Sequence, residues 1–298
     1  MALVFSSSYA YVYFRFALLN TFSSLFAMIG DCSEKSAIII GATSDIGEEM
    51  ISRLVKCNIS NLIITGRDSN HLEKIMIKYQ GKSTKIHKIE VDLSKEKNIL
   101  EFEQKYKPFS DIKIDYYLFC PGTCGAMDQV SYLQMKNDIS KVININFMSA
   151  ITTFEAISFS SNCSAVFVSS TNSFHPLECG TGYCTTKAAL SEYSKLKAKE
   201  LLNSGVRVNS IAPGLIATKF HDDYFESKEE LTAFFQEHVK TTVLGRLVSL
   251  DGVANTIEFL FSNLSKDVTG TQIVIDCGET LYPDNEDSEE EESSTQDD

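Results

Sequence analysis

The feature that most constrains this chain is an alternation of short apolar runs with stretches of helical character. Seven runs have the length and composition of β-strands, and the longer segments between them repeat apolar residues at helical spacing. The runs are 36–40, 61–65, 85–91, 116–120, 165–169, 206–211 and 272–275. Strands joined by helices form a parallel sheet with helices on both faces. The sequence therefore predicts an α/β, doubly wound fold with one seven-stranded parallel sheet, in which ligands bind at the carboxyl ends of the strands.

The turn after the first strand is rich in small residues. Glycines between a strand and a helix let the backbone approach a pyrophosphate, whose charge the helix N-terminus stabilises. We therefore expect this turn to hold a dinucleotide. The cofactor contacts expected here are Gly41, Thr43, Ser44, Asp45, Ile46 and Gly47.

A second motif places Tyr183 four residues before Lys187, with Ser170 at the end of the apolar run 164–170. Four residues make about one helical turn, so the phenol and the ammonium share a face. A nearby ammonium favours phenolate and is expected to lower the pKa of the tyrosine from about 10, which permits proton exchange near neutral pH. The same spacing recurs in pairs without a strand-end serine, which we interpret as solvated helix faces. These pairs are Tyr132/Lys136, Tyr193/Lys197 and Tyr224/Lys228.

From about Ser36 to Glu279 the chain resembles the short-chain dehydrogenase/reductase family, which has a Rossmann fold. The resemblance implies an active site of Ser170, Tyr183, Lys187 and Asn146, the last within the motif Asn-Phe-Met-Ser. It implies hydride transfer between a nicotinamide and a carbonyl or secondary alcohol. Tyr183 would protonate the carbonyl oxygen, and Ser170 would hydrogen-bond to it. Lys187 would hold the nicotinamide ribose, and Asn146 would support a water relay.

The resemblance extends to other strand ends and includes two departures. Asp45 stands where the family has the middle glycine of its first turn, which brings a carboxylate near the phosphates. Cys120 and Pro121 replace an Asn-Ala pair, so the amide that braces the sheet is missing. The further cofactor contacts implied are Asp92 and Leu93 at the adenine, Gly122, and the segment with Pro213, Gly214, Ile216 and Thr218, which would reach the carboxamide.

Cofactor choice depends on the end of the second strand. An acid there binds the ribose hydroxyls of NAD and repels a 2′-phosphate. This chain has Gly66-Arg67 instead, and a guanidinium can bind a phosphate through two charge-assisted hydrogen bonds. We therefore expect NADP(H) to be favoured over NAD(H), although Arg67 could also be an ordinary surface residue.

Composition is compatible with one catalytic domain, residues 35–280, between two appendages. The formal net charge is −13, but nine acidic residues lie between Asp284 and Asp298. We expect residues 281–298 to form a disordered acidic tail. The acidic surplus without a basic cluster argues against nucleic acid as a partner. The 8 cysteines show no metal-ligand spacing, so we expect no metal and a reducing compartment.

The N-terminal residues 1–34 form an apolar extension with three interpretations. Arg15 interrupts the apolar segment, whereas a signal peptide has its basic residue before that segment. A membrane span needs about 18 apolar residues, but 16–29 gives only 14, with polar interruptions. A weak anchor, an organelle presequence and a functional start at Met28 stay open. The expected location is cytoplasmic, without a membrane as a main partner.

The acidic and aromatic segment 220–238 lies where the family has a mobile substrate lid. Its aromatics could cover an apolar substrate or bury themselves against the core as amphipathic helices. The apolar surface of the helix from Tyr183 favours a homodimer or homotetramer. The expected substrate is a small carbonyl or alcohol, with a 3-oxoacyl thioester as the nearest example. A non-catalytic dinucleotide sensor or scaffold is the alternative function.

Overall fold

The computed structural model of the protein describes residues 29–125, 132–177 and 180–281. Its central feature is a seven-stranded parallel sheet with strand order β3-β2-β1-β4-β5-β6-β7. The predicted α/β, doubly wound fold is therefore confirmed. The strands are β1 (Ser36–Ile40), β2 (Asn61–Gly66), β3 (Lys85–Glu90), β4 (Ile114–Phe119), β5 (Phe159–Val168), β6 (Arg207–Pro213) and β7 (Gln272–Ile275).

Helices cover both faces of the sheet. They are α1 (Asp45–Lys56), α2 (Ser69–Lys78), α3 (Glu96–Leu100), α4 (Phe102–Tyr106), α5 (Tyr132–Ile143), α6 (Ser149–Glu155), α7 (Thr181–Glu200), α8 (Lys228–Val239) and α9 (Leu250–Phe261). Five π-helical residues, Asn144–Met148, join α5 to α6. Short 3-10 helices occupy Lys107–Phe109, Thr171–Ser173, Leu202–Ser204, Lys219–Tyr224, Asn263–Ser265 and Glu279–Leu281.

Strand β1 shows how the core is divided. All five of its residues are buried, because a central strand of a parallel sheet is covered on both sides. Ala37 and Ile39 face one apolar cluster with α1 and α9, whereas Ile38 and Ile40 face the other with α4, α6 and α7. The unbroken apolar run that predicted a strand is thus the signature of this two-sided burial.

The largest boundary difference is at β5, which begins at Phe159 and not at Ala165. Its first half is polar and partly exposed, so apolar composition did not reveal it. A register shift between Ile114 and Tyr116 accommodates this half beside β4. Helix α1 begins at Asp45, because the Ser44 side chain caps it by accepting from the Gly47 N–H at 3.1 Å.

Two predictions fall on residues outside the described ranges. Residues 1–28 hold nearly all of the N-terminal extension, and 282–298 hold the acidic tail, so the three-part division stays a prediction. Within the described ranges, the helices are too short or too polar to span a bilayer.

Candidate active site

Helix α7 and the end of β5 bring three of the predicted catalytic residues together. Tyr183 and Lys187 lie one turn apart on α7, and the Ser170 hydroxyl lies near enough to the phenol to lower its pKa. The Lys187 Nζ lies 5.6 Å from the centroid of the Tyr183 ring. It donates to the carbonyl oxygens of Val168 at 2.9 Å and Pro121 at 3.4 Å. The ammonium therefore connects β5, the loop after β4 and the phenol at one edge of the sheet.

The electrostatics of this group differ from the sequence-based expectation. Burial raises the pKa of Tyr183 above its usual value, and the interaction with the Ser170 hydroxyl only partly offsets that effect. Burial also lowers the pKa of Lys187 to about 8. The prediction of a lowered tyrosine pKa is therefore wrong for this state of the molecule. Desolvation is the largest cause of the shift at both groups, and it disfavours the charged form of each.

Asn146 is fully buried in the π-helical stretch between α5 and α6. Its Oδ1 accepts from the Thr123 N–H at 2.9 Å, and its Nδ2 donates to the Thr123 oxygen at 3.0 Å. A third bond, also 3.0 Å, runs from Nδ2 to the Thr186 hydroxyl on α7. Asn146 thus fixes the strand-end loop against the helix that carries Tyr183 and Lys187.

The glycine turn is packed closely enough to require its glycines. Gly41 has φ +84°, in the left-handed region. A Cβ on Gly47 would lie 2.6 Å from the Gly41 carbonyl oxygen, so helix α1 could not begin this close to the turn with a larger residue. The turn thus leads closely into the N-terminus of helix α1, a geometry that suits a diphosphate.

Cys120 links β4 to the glycine turn, where the family's asparagine side chain is missing. Its thiol donates to the carbonyl oxygens of Ile40 at 3.1 Å and Gly41 at 3.4 Å. The Ser44 hydroxyl contacts the same sulfur at 3.4 Å. Burial raises the pKa of Cys120 to about 12, so the group is a neutral thiol that can donate. The substitution therefore keeps a link between β4 and the glycine turn.

At the ends of β2 and β3 the structure places the predicted adenine-side residues. Arg67 follows the last residue of β2 and is exposed. The neighbouring Asp68 caps α2 by accepting from the N–H groups of Asn70 at 2.9 Å and His71 at 3.1 Å. Beyond β3, hydrogen bonds from Ser94 lower the pKa of Asp92 against the opposing effect of partial burial. Leu93 is partly buried against the core.

The segment after β6 brings its predicted residues to the same edge. Pro213 ends the strand, and the Gly214 N–H donates to the Ile275 oxygen at 2.9 Å. Ile216 pairs with Val248 in an isolated parallel bridge. Thr218 borders a cavity of about 340 Å³ that extends from Asp45 to α8 and α9.

The predicted lid covers this edge. Phe220 packs against Tyr183, with ring centroids 6.1 Å apart. A Cβ on Gly122 would lie 3.5 Å from the Phe220 ring and 3.4 Å from the Lys187 Nζ, so the ring lies beside both groups. Tyr224 exchanges a 3.1 Å hydrogen bond with the Thr123 hydroxyl and accepts from the Cys124 N–H at 2.9 Å.

The rest of the lid packs mainly on itself. Phe234 lies 4.9 Å from Phe225 and 5.7 Å from Phe235 between ring centroids, and helix α8 has no buried residue. Of the two interpretations of this segment, the structure therefore supports a cover over the site more than a pair of helices merged into the core.

Of the other Tyr/Lys pairs with this spacing, Tyr193/Lys197 is not a solvated helix face, and Tyr224 is half-buried although Lys228 is exposed. Tyr193 and Lys197 are buried, and both contact Glu155, at 2.9 Å and 2.7 Å. Tyr224 belongs to the lid contact described above. Tyr193 combines a polar tip with a buried ring, which spacing alone did not reveal. The side chains of Tyr132 and Lys136 lie outside the described part of the structure.

Four residues at the site were missed by the sequence interpretation. Thr186 could have been found, because it follows Tyr183 by three positions and so shares its helical face. Thr123 lies on the loop after β4, whereas Lys219 and Tyr224 are the two ends of one 3-10 helix after β6, and their contacts form only in the folded chain. No local pattern indicates such contacts.

Comparison with known proteins identifies the family. Residues 35–229 match the family described as short chain dehydrogenase, and the chain belongs to that family of oxidoreductases, whose members bind nicotinamide cofactors. The chain is 29% identical to 3-oxoacyl-[acyl-carrier-protein] reductase FabG of Aquifex aeolicus over 82% of this chain and 96% of that protein. It is 25% identical to glucose 1-dehydrogenase 2 of Bacillus subtilis over 86% and 98% of the two chains.

Solved structures show the same fold. A short-chain dehydrogenase/reductase of unknown function from Caenorhabditis elegans, determined with cofactor, superposes with a TM-score of 0.73 at 24% identity. The match covers 85% of this chain and 97% of that one. A second, from Mycobacterium ulcerans, gives a TM-score of 0.70 at 23% identity over 85% and 92% of the two chains.

Proposed function

We propose that this protein is an NADP(H)-preferring reductase of small ketones, of the 3-oxoacyl type or a related one. The observation that carries the proposal is the junction of Ser170, Tyr183 and Lys187 at the carboxyl edge of a doubly wound sheet. Hydroxyl, phenol and ammonium are the groups needed to bind a carbonyl oxygen and deliver a proton to it. The bound dinucleotide would supply the hydride.

The roles of the side chains follow from their surroundings. With its pKa raised by burial, Tyr183 carries its proton at neutral pH and can donate it to the carbonyl oxygen. Ser170 lies within hydrogen-bonding reach of the same phenol, so it can donate to the oxygen as negative charge develops there. Lys187 is the cation next to the phenol and would stabilise it after proton loss. Asn146 holds the loop that carries Thr123 and is placed to support a proton relay.

The cofactor preference is proposed from the end of β2. Asp68 is the nearest acid to Arg67 in sequence, but its carboxylate caps helix α2. It is therefore engaged with backbone N–H groups, which leaves the exposed Arg67 guanidinium as the group suited to a 2′-phosphate.

The substrate class is proposed from the lid. Phe220 and Tyr224 present aromatic surface above Tyr183, and such surface favours an apolar acyl chain over a polyol. The similarity to a 3-oxoacyl reductase agrees with this choice, whereas the similarity to a glucose dehydrogenase does not specify it.

Assembly as a homodimer or homotetramer is part of the proposal. On helix α7, Leu196 is 51% exposed, whereas Leu190 and Tyr193 are buried. Contact with a second copy of the chain would cover this exposed leucine. A strictly monomeric species in light scattering at micromolar concentration would contradict it.

The test of function is NADPH oxidation by the purified protein against a panel of carbonyl compounds that includes acetoacetyl thioesters and sugars. Tyr183→Phe should fold, bind NADPH and lose turnover by about 100-fold or more, since it removes the proton donor. Tyr193→Phe is the matched control; it should lower the melting temperature by breaking the bond to Glu155 and leave the rate nearly unchanged. Equal losses at both positions would refute the site, and a wild type that binds NADPH without turnover would favour a sensor.

A further inference from the structure

Asp45 creates an electrostatic problem in the turn proposed to hold the cofactor's diphosphate. The turn from Gly41 to Gly47 leads into α1, and Asp45 is the first residue of that helix. A helix N-terminus stabilises one nearby anion well. A carboxylate there competes with a diphosphate for the same field and repels it. Proximity of these charges would weaken cofactor binding unless a cation intervenes.

Lys219 supplies such a cation from 174 residues away in sequence. Its backbone N–H donates to Asp45 Oδ2 at 2.8 Å, and its Nζ lies 3.2 Å from Asp45 Oδ1. The same Nζ lies 3.9 Å from Glu48 Oε1. The hydrogen bond to Asp45 raises the pKa of Lys219, so the side chain is a cation at neutral pH. The ion pair joins the glycine turn to the residue that directly precedes the lid.

The position of Lys219 gives this pair a role in the cofactor site. Thr218, the residue before it, lines the cavity beside Asp45, and Phe220, the residue after it, packs on Tyr183. Lys219 therefore lies between the groups proposed to contact the nicotinamide and those proposed to contact the diphosphate. Its side chain is 67% exposed, so the ammonium can reorient toward solvent or a phosphate without breaking the core.

We propose that Lys219 is a cofactor-positioning residue that cancels the charge of Asp45 and so admits a diphosphate to this turn. The inference rests on the proposed use of a nicotinamide dinucleotide. It explains how a chain with an acid in place of the family's glycine keeps a usable turn. It also couples the lid to the glycine turn, because the Lys219–Asp45 ion pair connects the start of the lid to that turn.

A double-mutant cycle tests the proposal through dissociation constants for NADPH and NADH, measured by fluorescence titration. Lys219→Met keeps the backbone N–H bond and removes only the ammonium, whereas Asp45→Asn keeps an acceptor for that N–H and removes only the charge. Lys219→Met should raise both dissociation constants about fivefold, a modest effect because the pair is partly exposed to solvent. In the Asp45→Asn background the same change should have less than about a twofold effect.

Further readouts separate positioning from a structural role. Lys219→Arg should restore affinity, and the KM for the cofactor should rise in Lys219→Met while kcat stays within about twofold. The effect should fade toward about 1 M salt, where exposed charges are screened. Lys228→Met, which removes another lid cation outside this pair, should leave affinity unchanged.

Two outcomes would overturn the inference. Equal losses from Lys219→Met with and without Asp45→Asn would mean that Lys219 does not act through Asp45, and no loss in either background would mean that it has no part in binding. Failure of the proposed function is visible separately, because a wild type that bound neither NADPH nor NADH would reject both ideas before any variant was compared.

Discussion

Replacing Lys187 with methionine would measure the energetic cost of a charge buried for catalysis. The side chain is only 3% exposed, and burial lowers its pKa from 10.5 to about 8. At about 1.4 kcal/mol for each pKa unit, keeping this ammonium charged in the folded protein costs roughly 3 kcal/mol at neutral pH. Methionine is apolar and of similar length, so it removes the charge without leaving a large cavity.

The sign of the effect depends on pH. Because the pKa of Lys187 is lower in the folded chain, the unfolded chain binds more protons between about pH 8 and 10.5, and native stability rises with pH through that window. Below about pH 8 the full cost is present. Losing the donor to the Val168 and Pro121 oxygens costs the variant about 0.5–1.5 kcal/mol each. Lys187→Met should therefore be more stable than wild type at pH 7 by up to about 2 kcal/mol, and its advantage should vanish or reverse by about pH 10.5.

Urea unfolding of both proteins at several pH values between 7 and 10.5 provides the measurement. Lys228→Met serves as the control, since its exposed lysine should give a pH-independent difference from wild type. Turnover of Lys187→Met should be lost at every pH. A variant that is less stable at pH 7, or a stability difference that does not change with pH, would refute the buried-charge argument.

Three other predictions concern the cofactor and the domain boundary. Arg67→Asp should raise the NADPH dissociation constant by about tenfold or more and favour NADH, and an unchanged preference would mean that the 2′-phosphate is not bound there. Gly47→Ala should lower the free energy of unfolding by about 1–3 kcal/mol and abolish NADPH binding, since its Cβ would press on the Gly41 oxygen at 2.6 Å; binding at wild-type affinity would contradict the required close approach. A chain that starts at Met28 should fold and keep full activity, and loss of folding in circular dichroism would show that the first 27 residues belong to the core.

The sheet was predictable because its signal is local and redundant. Each central strand is an apolar run between turn residues, and burial on both faces makes composition sufficient. The first half of β5 was missed because Ser160, Ser161 and Asn162 look like a loop. They lie in the irregularity between the Phe159 and Ser164 pairs with β4, an arrangement that depends on the neighbouring strand and is not encoded locally.

In the candidate site, too, local patterns predicted some residues and missed the contacts between distant segments. Tyr183, Lys187 and Ser170 were found because helix periodicity and a strand end fix their relative positions. The predicted direction of the Tyr183 pKa change was wrong, because the pKa depends on burial by Phe220 and its neighbours. These residues follow β6 in the chain and pack against Tyr183. The contacts of Lys219 and Tyr224 could not be predicted, because each joins loops about 100 residues or more apart in sequence.

The π-helical stretch Asn144–Met148 has a consequence for how this site can change. One wide turn, closed by the Ser149 N–H on the Asn144 oxygen, amounts to a single residue inserted into an otherwise continuous α-helix. Deleting one residue there would restore regular geometry and rotate Asn146 by about 100° relative to one flank. The amide would then leave Thr123 and Thr186. The π-helical turn thus keeps Asn146 in register, and an insertion or deletion in this stretch would move it away from its partners.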